Sequence, residues 1–320
     1  MQHKIKKIFI EIPTWLGDAV MATPAIENIL TIYPDAMLTI FGSFVSTKLF
    51  LDHSKVEKII IDNSKKSGFR YLNLYKLAKS SGKFDIAFSF RKNITTKFLF
   101  YFLDTTKSYI YQRFDKGLDT HQVIRYNDFI NYSLCTTTIP SNLKVYLKDD
   151  NTCKQEKPIL GINPGATYGS AKRWYPEEFA KVAIELSSKY DLLIFGGPGE
   201  TKIAQDIEKL LIDAKLKNYQ NLAGKTSVEE LIKYISTLDM FVTNDSGPMH
   251  LAAAFSIPTV SIFGPTRYKE TNQWMNKKSI LLRKKMSCSP CMKRVCPLKH
   301  HNCMKLITAK DVLEAIDGTN

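Results

Sequence analysis

Short apolar runs alternate with longer amphipathic stretches over the first 134 residues. Five runs have the length and the β-branched content of buried strands, at residues 6–12, 36–42, 56–62, 84–90 and 107–113. Four stretches have helical periodicity, at residues 18–33, 71–82, 93–104 and 121–134. Pro24, inside the first of these helices, predicts a kink or a restart. This alternation is typical of a parallel sheet covered by helices on both faces.

The alternation begins again after a polar segment, residues 147–158, which we interpret as a linker. Four further strands are predicted at residues 158–165, 191–197, 240–245 and 259–264, with helices at 176–190, 200–213, 227–238 and 247–255. The fold class is therefore α/β, with two doubly wound Rossmann-like domains, 1–150 and 151–308, facing a central cleft. Residues 309–320 contain a last helix, which we expect to pack back on the first domain.

Length and charge narrow the function classes. The 320 residues suffice for two domains, and no apolar run approaches the roughly 20 residues that span a bilayer. Without a recognisable signal peptide, we expect a cytoplasmic protein. The net charge of +14 is uneven, since residues 267–310 hold twelve Lys and Arg but one Glu. Such asymmetry favours a phosphorylated substrate, a membrane surface or nucleic acid as partner, and a merely solubilising basic surface is the alternative.

The stretch TNDSGPMHLAAAF at 243–255 passes from a predicted strand into a helix. Ser246 or Gly247 would cap a helix whose first turn holds Pro248, so that its free N–H groups receive an anion. Asp245 would bind sugar hydroxyls, and His250 would bind a phosphate or another hydroxyl. A hydrolytic triad is disfavoured because Ser246 and His250 lie on one element and no G-x-S-x-G elbow precedes them. A histidine that only packs within the helix remains the alternative.

A second stretch, NPGATYGSAKRWYPEEF at 163–179, is rich in small residues. It is not a Walker A loop, yet residues 165–171 would let the backbone approach a phosphate closely. Lys172 and Arg173 supply positive charge. The alternative is an ordinary connection with two solvent-facing cations.

A third stretch, IPTWLGDAVMATPAI at 12–26, follows the first predicted strand. Gly17 permits a tight turn, and Asp18 would stand at the carboxyl edge of the first sheet, on the acceptor side. Asp18 is either a general base for an acceptor hydroxyl or a helix-capping aspartate.

These stretches, together with CSPCMKRVCPLKHHNCM at 287–304, resemble the ADP-heptose:lipopolysaccharide heptosyltransferases of glycosyltransferase family 9, most closely the heptosyltransferase II branch. The resemblance extends from residue 8 to about 315. It implies a GT-B fold with an acceptor-binding first domain, a nucleotide-sugar-binding second domain and an inverting reaction that requires no metal. The absence of a D-x-D pattern in the sequence agrees with that expectation.

The resemblance also assigns roles to single residues. It makes Asp18 the catalytic base, and it places the phosphate-binding loop at Ala166, Thr167 and Lys172. It places the sugar and diphosphate site at Asp245, Ser246, Gly247 and His250, and it assigns Glu200 to the ribose and Thr226 to the adenine. Lys172 would also be catalytic, because it would neutralise the charge that develops on the departing ADP.

The cysteines allow three interpretations. Cys288, Cys291, Cys296 and Cys303 have the spacing C-x2-C-x4-C-x6-C, whereas Cys135 and Cys153 stand alone. In a cytosolic chain the four clustered cysteines would form a structural zinc site, remain reduced thiols, or form disulfides.

The leading hypothesis is an inverting transfer of L-glycero-D-manno-heptose from ADP-heptose to the heptosyl-Kdo-lipid A inner core of lipopolysaccharide. The phosphorylated acceptor would bring the enzyme to the inner leaflet as a peripheral protein. The alternatives are a GT-B relative that uses another nucleotide sugar, an epimerase of such a sugar, or a basic nucleic-acid-binding protein. Nucleic acid is disfavoured because the basic segment lacks interleaved aromatic residues and finger spacing.

Overall fold

The computed structural model describes residues 4–66, 68–115, 119–148 and 157–318. The chain divides into two compact units, Met1–Asp149 and Asp150–Asn320. Most of the predicted linker at 147–158, the predicted boundary at 150 and 151, Cys153 and the last two residues lie outside the described residues.

The first unit is built on a five-stranded parallel sheet in the order β3-β2-β1-β4-β5. Its strands are β1 Lys7–Glu11, β2 Met37–Gly42, β3 Val56–Ile61, β4 Lys83–Ser89 and β5 Asp104–Ile110. Its helices are α1 Leu16–Ile32, α2 Phe44–Thr47, α3 Arg70–Ser80, α4 Ile94–Phe102 and α5 Gln122–Leu134. Helix α1 packs with α5, and α3 packs with α4. The central strand β1 is buried, as expected for a strand covered on both faces.

All five strands predicted in this unit are present, with two local differences. Strand β5 begins at Asp104, three residues before the predicted start, because its pairing with β4 starts directly after α4 ends. Helix α1 runs unbroken across Pro24, so the predicted restart there is wrong. Pro24 has no N–H for the carbonyl of Val20, and the hydroxyl of Thr23 donates to that oxygen instead, at 2.7 Å.

The second unit has a six-stranded parallel sheet in the order β11-β10-β9-β6-β7-β8. Its strands are β6 Ile159–Asn163, β7 Asp191–Ile194, β8 Tyr219–Asn221, β9 Met240–Asn244, β10 Thr259–Ile262 and β11 Ser279–Leu282. Its helices are α6 Pro176–Leu186, α7 Thr201–Asp213, α8 Val228–Ser236, α9 Gly247–Ala254, α10 Tyr268–Thr271, α11 Asn302–Lys305 and α12 Ala309–Asp317. The four predicted strands are the central ones, and the two edge strands were not predicted.

The last helix, α12, belongs to the second unit. Val312 and Ile316 are buried in the core that α6 and β10 share, and the backbone N–H of Ala309 donates to Glu178 at 2.6 Å. The expectation that this helix packs back on the first domain is therefore wrong. The apolar face of α12 packs against α6. Glu178 of α6 also accepts the hydrogen bond from the first turn of α12.

Two doubly wound parallel sheets confirm the predicted α/β class. Because all strands in each sheet run the same way, the loops that follow them collect at one edge of that sheet. No helix in the described part of the chain has both the length and the apolar content needed to cross a bilayer.

Candidate active site

The carboxyl edge of the second sheet gathers the predicted donor residues. Strands β9, β6, β7 and β8 are neighbours in that order. The loops that follow them carry Asp245, the phosphate loop 165–172, Glu200 and Thr226. Residues that are 80 positions apart in the sequence therefore lie on adjacent loops, as a ligand site at this edge requires.

A buried ion pair lies at the centre of this edge. Lys172 Nζ is 2.6 Å from Asp245 Oδ2, and the two side chains are 13% and 5% exposed. The same carboxylate oxygen accepts a hydrogen bond from Thr266 Oγ1 at 2.6 Å. The Lys172 ammonium also lies 4.9 Å from the centre of the Tyr168 ring. The cation is thus held in one position while part of it remains accessible, which suits it to bind an incoming anion.

Two asparagines join the ends of β6 and β9. Asn163 donates to Thr243 Oγ1 at 3.2 Å and to Ser246 Oγ at 3.0 Å. Asn244 donates to the carbonyl of Pro164 at 2.7 Å. Ser246 Oγ makes no capping bond to α9, Pro248 has no N–H, and the N–H of Met249 donates to the carbonyl of Ser246 at 3.2 Å. The N–H of Gly247 is therefore the one in this first turn that a ligand can take. Ser246 Oγ accepts a hydrogen bond from Asn163, a structural role that differs from that of a nucleophile.

The helix that begins at this edge contains the remaining residues of the D-S-G-x-x-H motif. Gly247 is the first residue of α9, Pro248 follows it, and His250 is buried one turn further on. In the phosphate loop, Ala166 is buried and Thr167 is exposed. Their roles in binding sugar and phosphate stay predictions.

Glu200 is fixed against the phosphate loop. A Cβ atom on Gly165 would lie 2.2 Å from the carboxyl carbon of Glu200, so a larger residue there would displace this carboxylate. The backbone N–H of Gly197 donates to Glu200 Oε2 at 2.8 Å. Thr226 is half-buried in the loop after β8, the next strand along. The geometry leaves both predicted nucleoside contacts as predictions.

Asp18 lies in the first turn of α1, directly after β1. The N-cap residue of this helix is Trp15, so the alternative of Asp18 as the capping residue is wrong, although a first-turn carboxylate still interacts favourably with the helix dipole. The side chain is half-buried, and Gly17 beside it is buried. Burial, and then the negative charge of Asp18, hold the pKa of Tyr126 well above its ordinary value. Asp18 is therefore at the carboxyl edge of the first sheet, as predicted.

The comparisons with known proteins decide the family. Residues 111–302 match the family model of glycosyltransferase family 9 (heptosyltransferase). The chain is 42% identical over 313 residues to lipooligosaccharide heptosyltransferase 2 of Campylobacter jejuni serotype O:2, covering 96% of each protein. Among solved structures, it is similar to ADP-heptose lps heptosyltransferase II of E. coli, with a TM-score of 0.79, 23% identity and 98% coverage of each chain. It is also similar to a glycosyltransferase family 9 protein of Veillonella parvula, with a TM-score of 0.85, 20% identity and coverage of 100% and 98%.

The chain belongs to glycosyltransferase family 9. The family predicted from four stretches of sequence is confirmed, and so are the glycosyltransferase class and the GT-B type of fold. The individual site residues are not tested by these likenesses.

In this heptosyltransferase, residues 287–304, which we name the cysteine segment, contact the phosphate loop. Sequence reasoning missed this contact. Tyr168 donates its hydroxyl to the carbonyl of Met292 at 2.7 Å, and Ala171 donates its backbone N–H to the carbonyl of Arg294 at 3.0 Å. A Cβ atom on Gly169 would lie 2.3 Å from that same carbonyl oxygen. The Arg294 guanidinium lies 5.5 Å from the centre of the Tyr168 ring. Arg294 is thereby a second cation beside the phosphate loop, in addition to Lys172.

The four clustered cysteines line one cavity together with His300 and His301. All four thiols are free. Burial, and then the charges of Cys288 and Cys291, raise the pKa of Cys303 to about 11. In the described ranges, no three His, Cys, Asp or Glu side chains are arranged to hold a metal ion. No disulfide joins these four cysteines in the structure, and the predicted zinc site stays a prediction.

Other missed residues lie at the same two edges. Thr266 follows β10 in the stretch IFGPT, and Asn163 ends β6, both at positions where a buried strand becomes polar. In the first unit, buried Glu11 ends β1 and binds Arg91 at 3.1 Å, and burial raises its pKa. A polar residue at the end of an apolar strand is the sequence signal that was available for Asn163 and Glu11, whereas Thr266 lies four residues beyond the end of β10.

Proposed function

We propose that the enzyme transfers L-glycero-D-manno-heptose from ADP-heptose to the heptosyl-Kdo-lipid A inner core of lipopolysaccharide, with inversion at the anomeric carbon. The ion pair of Lys172 and Asp245, at the start of α9, is the observation that carries the proposal. It combines a cation for a diphosphate with a carboxylate for sugar hydroxyls. The likeness to a relative named lipooligosaccharide heptosyltransferase 2 supports heptose as the sugar.

Donor binding exchanges the partners of this ion pair. A diphosphate attracts Lys172 and the first turn of α9, where the N–H of Gly247 and the helix dipole favour negative charge. Asp245 then loses one cationic partner but keeps the hydrogen bond from Thr266. Its freed carboxylate oxygens accept hydrogen bonds from the heptose hydroxyls. The charged groups that bind the donor are therefore already present in the site before the donor arrives.

The transfer step breaks one bond and forms another. The acceptor hydroxyl oxygen attacks the anomeric carbon as the bond to the diphosphate oxygen breaks, and ADP leaves with the bonding electrons. Asp18 takes the proton of the acceptor hydroxyl. Lys172 and the N-terminus of α9 stabilise the charge that grows on the diphosphate. These residues act without a metal ion, and zinc at the cysteine cluster would be structural.

The acceptor's location implies peripheral association with the inner leaflet. A phosphorylated lipid acceptor lies in a membrane surface, and residues 267–310 hold twelve cations and one carboxylate. Each Lys or Arg near an anionic leaflet contributes about 1 kcal/mol at most. Lys277, Lys278 and Lys285 are exposed, whereas Lys284 is bound to Asp311 at 2.8 Å. Of these four lysines, the first three are therefore available to lipid.

The decisive experiment measures ADP release from ADP-heptose with a panel of truncated lipopolysaccharide acceptors. We expect turnover only with the acceptor that already carries one heptose, and a product whose anomeric configuration is inverted. Equal turnover with acceptors that lack heptose would contradict the proposed acceptor. Turnover of another nucleotide sugar in preference to ADP-heptose would contradict the proposed donor.

A further inference from the structure

Helices α3 and α4 have inner faces that are buried and outer faces that are unusually apolar. Their inner residues Leu74, Ala78, Leu99 and Phe100 belong to the core of the first unit. Their outer surface, which we name the α3–α4 patch, consists of Phe69, Leu72, Tyr75, Ile94 and Tyr101. These side chains are 71%, 48%, 39%, 74% and 81% exposed. Large apolar side chains grouped at this exposure mark an interaction surface.

Ring contacts make the patch continuous across the two helices. Tyr71 packs edge-on against Phe98 at 4.9 Å, and Tyr75 packs edge-on against Phe102 at 5.0 Å. Tyr101 lies against Phe102 at 4.9 Å. The two helices thereby present one surface rather than separate residues, and its shape is set before any partner binds.

The two helices that bear the patch carry charge of one sign. Helices α3 and α4 carry the cations Arg70, Lys76, Lys79 and Lys97 and no carboxylate. Between Asp62 and Asp104, which flank the two helices in the sequence, the one acidic residue is Asp85, and the same stretch holds nine Lys and Arg. Asp85 accepts two backbone N–H groups from Lys6 and Lys7. Exposed aromatic and aliphatic side chains surrounded by lysines match a bilayer interface, where rings enter the headgroup region and ammonium groups meet anionic lipid.

The same charge argues against a second copy of the chain as the partner. Two patches brought face to face would oppose eight cations on helices that carry no carboxylate, and like charges across an interface are unfavourable. We infer that the α3–α4 patch is the surface through which this enzyme docks on an anionic lipid bilayer. This inference deepens the proposed membrane association and rests on it, but it assigns the apolar contact to the first unit rather than to residues 267–310.

The first test removes the exposed apolar side chains and measures vesicle binding. The variant Phe69→Ser, Ile94→Ser, Tyr101→Ser is compared with the wild type on vesicles of phosphatidylethanolamine and phosphatidylglycerol. We expect partitioning to fall by about 10²-fold, because three large side chains no longer enter the interface. The matched control is Tyr132→Ser with Ile139→Ser, which are 69% and 84% exposed in the same unit but outside the patch. This control should bind as the wild type does.

A second measurement locates the contact. Tryptophan fluorescence of Tyr101→Trp should be quenched by phosphatidylglycerol with brominated acyl chains, whereas Tyr132→Trp should give no added quenching. Wild-type binding by the triple variant, or equal quenching of the two tryptophan variants, would overturn the inference. So would a patch-dependent dimer that shows no preference for lipid, or patch-dependent binding that is the same with anionic and zwitterionic vesicles.

The outcomes separate this inference from the proposed function. Vesicle binding that is lost only when Lys277, Lys278 and Lys285 are neutralised would overturn the patch as the docking surface and leave membrane association intact. Turnover of a water-soluble truncated acceptor needs no bilayer, so the triple variant should keep it at the wild-type rate. Loss of that turnover would place the patch at the acceptor and overturn the inference, whereas wild-type failure with every heptose acceptor would overturn the proposed function instead.

Discussion

At the scale of single residues, Asp18 gives the sharpest test of mechanism. If this carboxylate takes the acceptor proton, Asp18→Asn should lower kcat by about 10²-fold or more and leave ADP affinity nearly unchanged. Steady-state turnover and ADP titration measure the two quantities. Asp35→Asn is the matched control, because Asp35 is an exposed carboxylate bound to Lys4 at 2.6 Å. Near-wild-type turnover by the Asp18 variant would exclude the role of base.

The Lys172–Asp245 pair links donor binding to stability. Lys172→Ala should weaken ADP-heptose binding and turnover, and it should also lower the free energy of unfolding by about 3 kcal/mol because it leaves a buried carboxylate without its cation. Adding Asp245→Asn should recover stability but not turnover. Denaturant unfolding and kinetics on both variants check this. Recovery of turnover in the double variant would show that the two residues act only on stability.

The residue scale also shows why the site was only partly predictable. Asp18, Lys172 and Asp245 lie in recognisable stretches that follow apolar strands. The strand pattern therefore predicts that each lies at the carboxyl edge of its sheet. Asn163 and Thr266 act through partners 83 and 21 positions away, and no local pattern indicates such a partner. Sequence periodicity places a residue on an element, but a side-chain hydrogen bond between loops depends on strand order.

At the scale of elements, Glu27 joins α1 to two distant segments. Burial opposes its ionisation, but hydrogen bonds from His53, Lys144 and Tyr146 lower the pKa of Glu27 from its ordinary 4.5 to about 2. A lowered folded-state pKa stabilises the fold above the unfolded value, and that stabilisation is lost as the pH falls from about 4.5 towards 2. The Glu27→Gln variant should therefore be less stable than the wild type at neutral pH. It should also lose less stability than the wild type as the pH falls from about 4.5 towards 2.

Urea unfolding of the wild type and of Glu27→Gln at several pH values measures this effect. Glu57→Gln is a suitable control, because Glu57 is exposed on β3. Parallel stability curves for the wild type and the Glu27 variant below pH 4.5 would contradict the assignment.

The contact between the cysteine segment and the phosphate loop predicts that a residue outside the predicted donor-binding set affects the affinity for the donor. Tyr168→Phe removes the hydroxyl that bonds to Met292 but keeps the ring beside Lys172. A lost hydrogen bond of about 1 kcal/mol should weaken ADP-heptose binding about fivefold. Isothermal titration checks this, with Tyr219→Phe on edge strand β8 as the control. Unchanged affinity would show that the loop holds its shape without this contact.

In the second unit, element prediction succeeded for the central strands and failed at the two edges, whereas the edge strands β3 and β5 of the first unit were predicted. Strands β6 and β9 are long apolar runs because both of their faces are buried. Strands β8 and β11 have only three and four residues and are partly exposed, so neither carries a pattern that distinguishes it from a loop. Helix α12 was recognised as a helix, but which core receives its apolar face is a tertiary property.

At the scale of the whole molecule, the positive charge is divided between two surfaces that predict different salt dependence. Residues 267–310 supply charge, whereas helices α3 and α4 combine four cations with the exposed apolar side chains of the α3–α4 patch. Salt screens exposed charges beyond about 10 Å at 0.1 M but does not weaken apolar burial. Neutralising Lys277, Lys278 and Lys285 should therefore reduce vesicle binding and flatten its dependence on salt, while ADP affinity stays the same.

The patch variant should show the opposite signature. With its lysines intact, Phe69→Ser, Ile94→Ser, Tyr101→Ser should bind vesicles weakly at low salt and lose that binding more completely as salt rises, because only the screened interaction remains. Co-sedimentation of both variants across one salt series distinguishes the two contributions. If both variants lost binding with the same dependence on salt, the charged and apolar contacts would not be separable, and one surface would carry both.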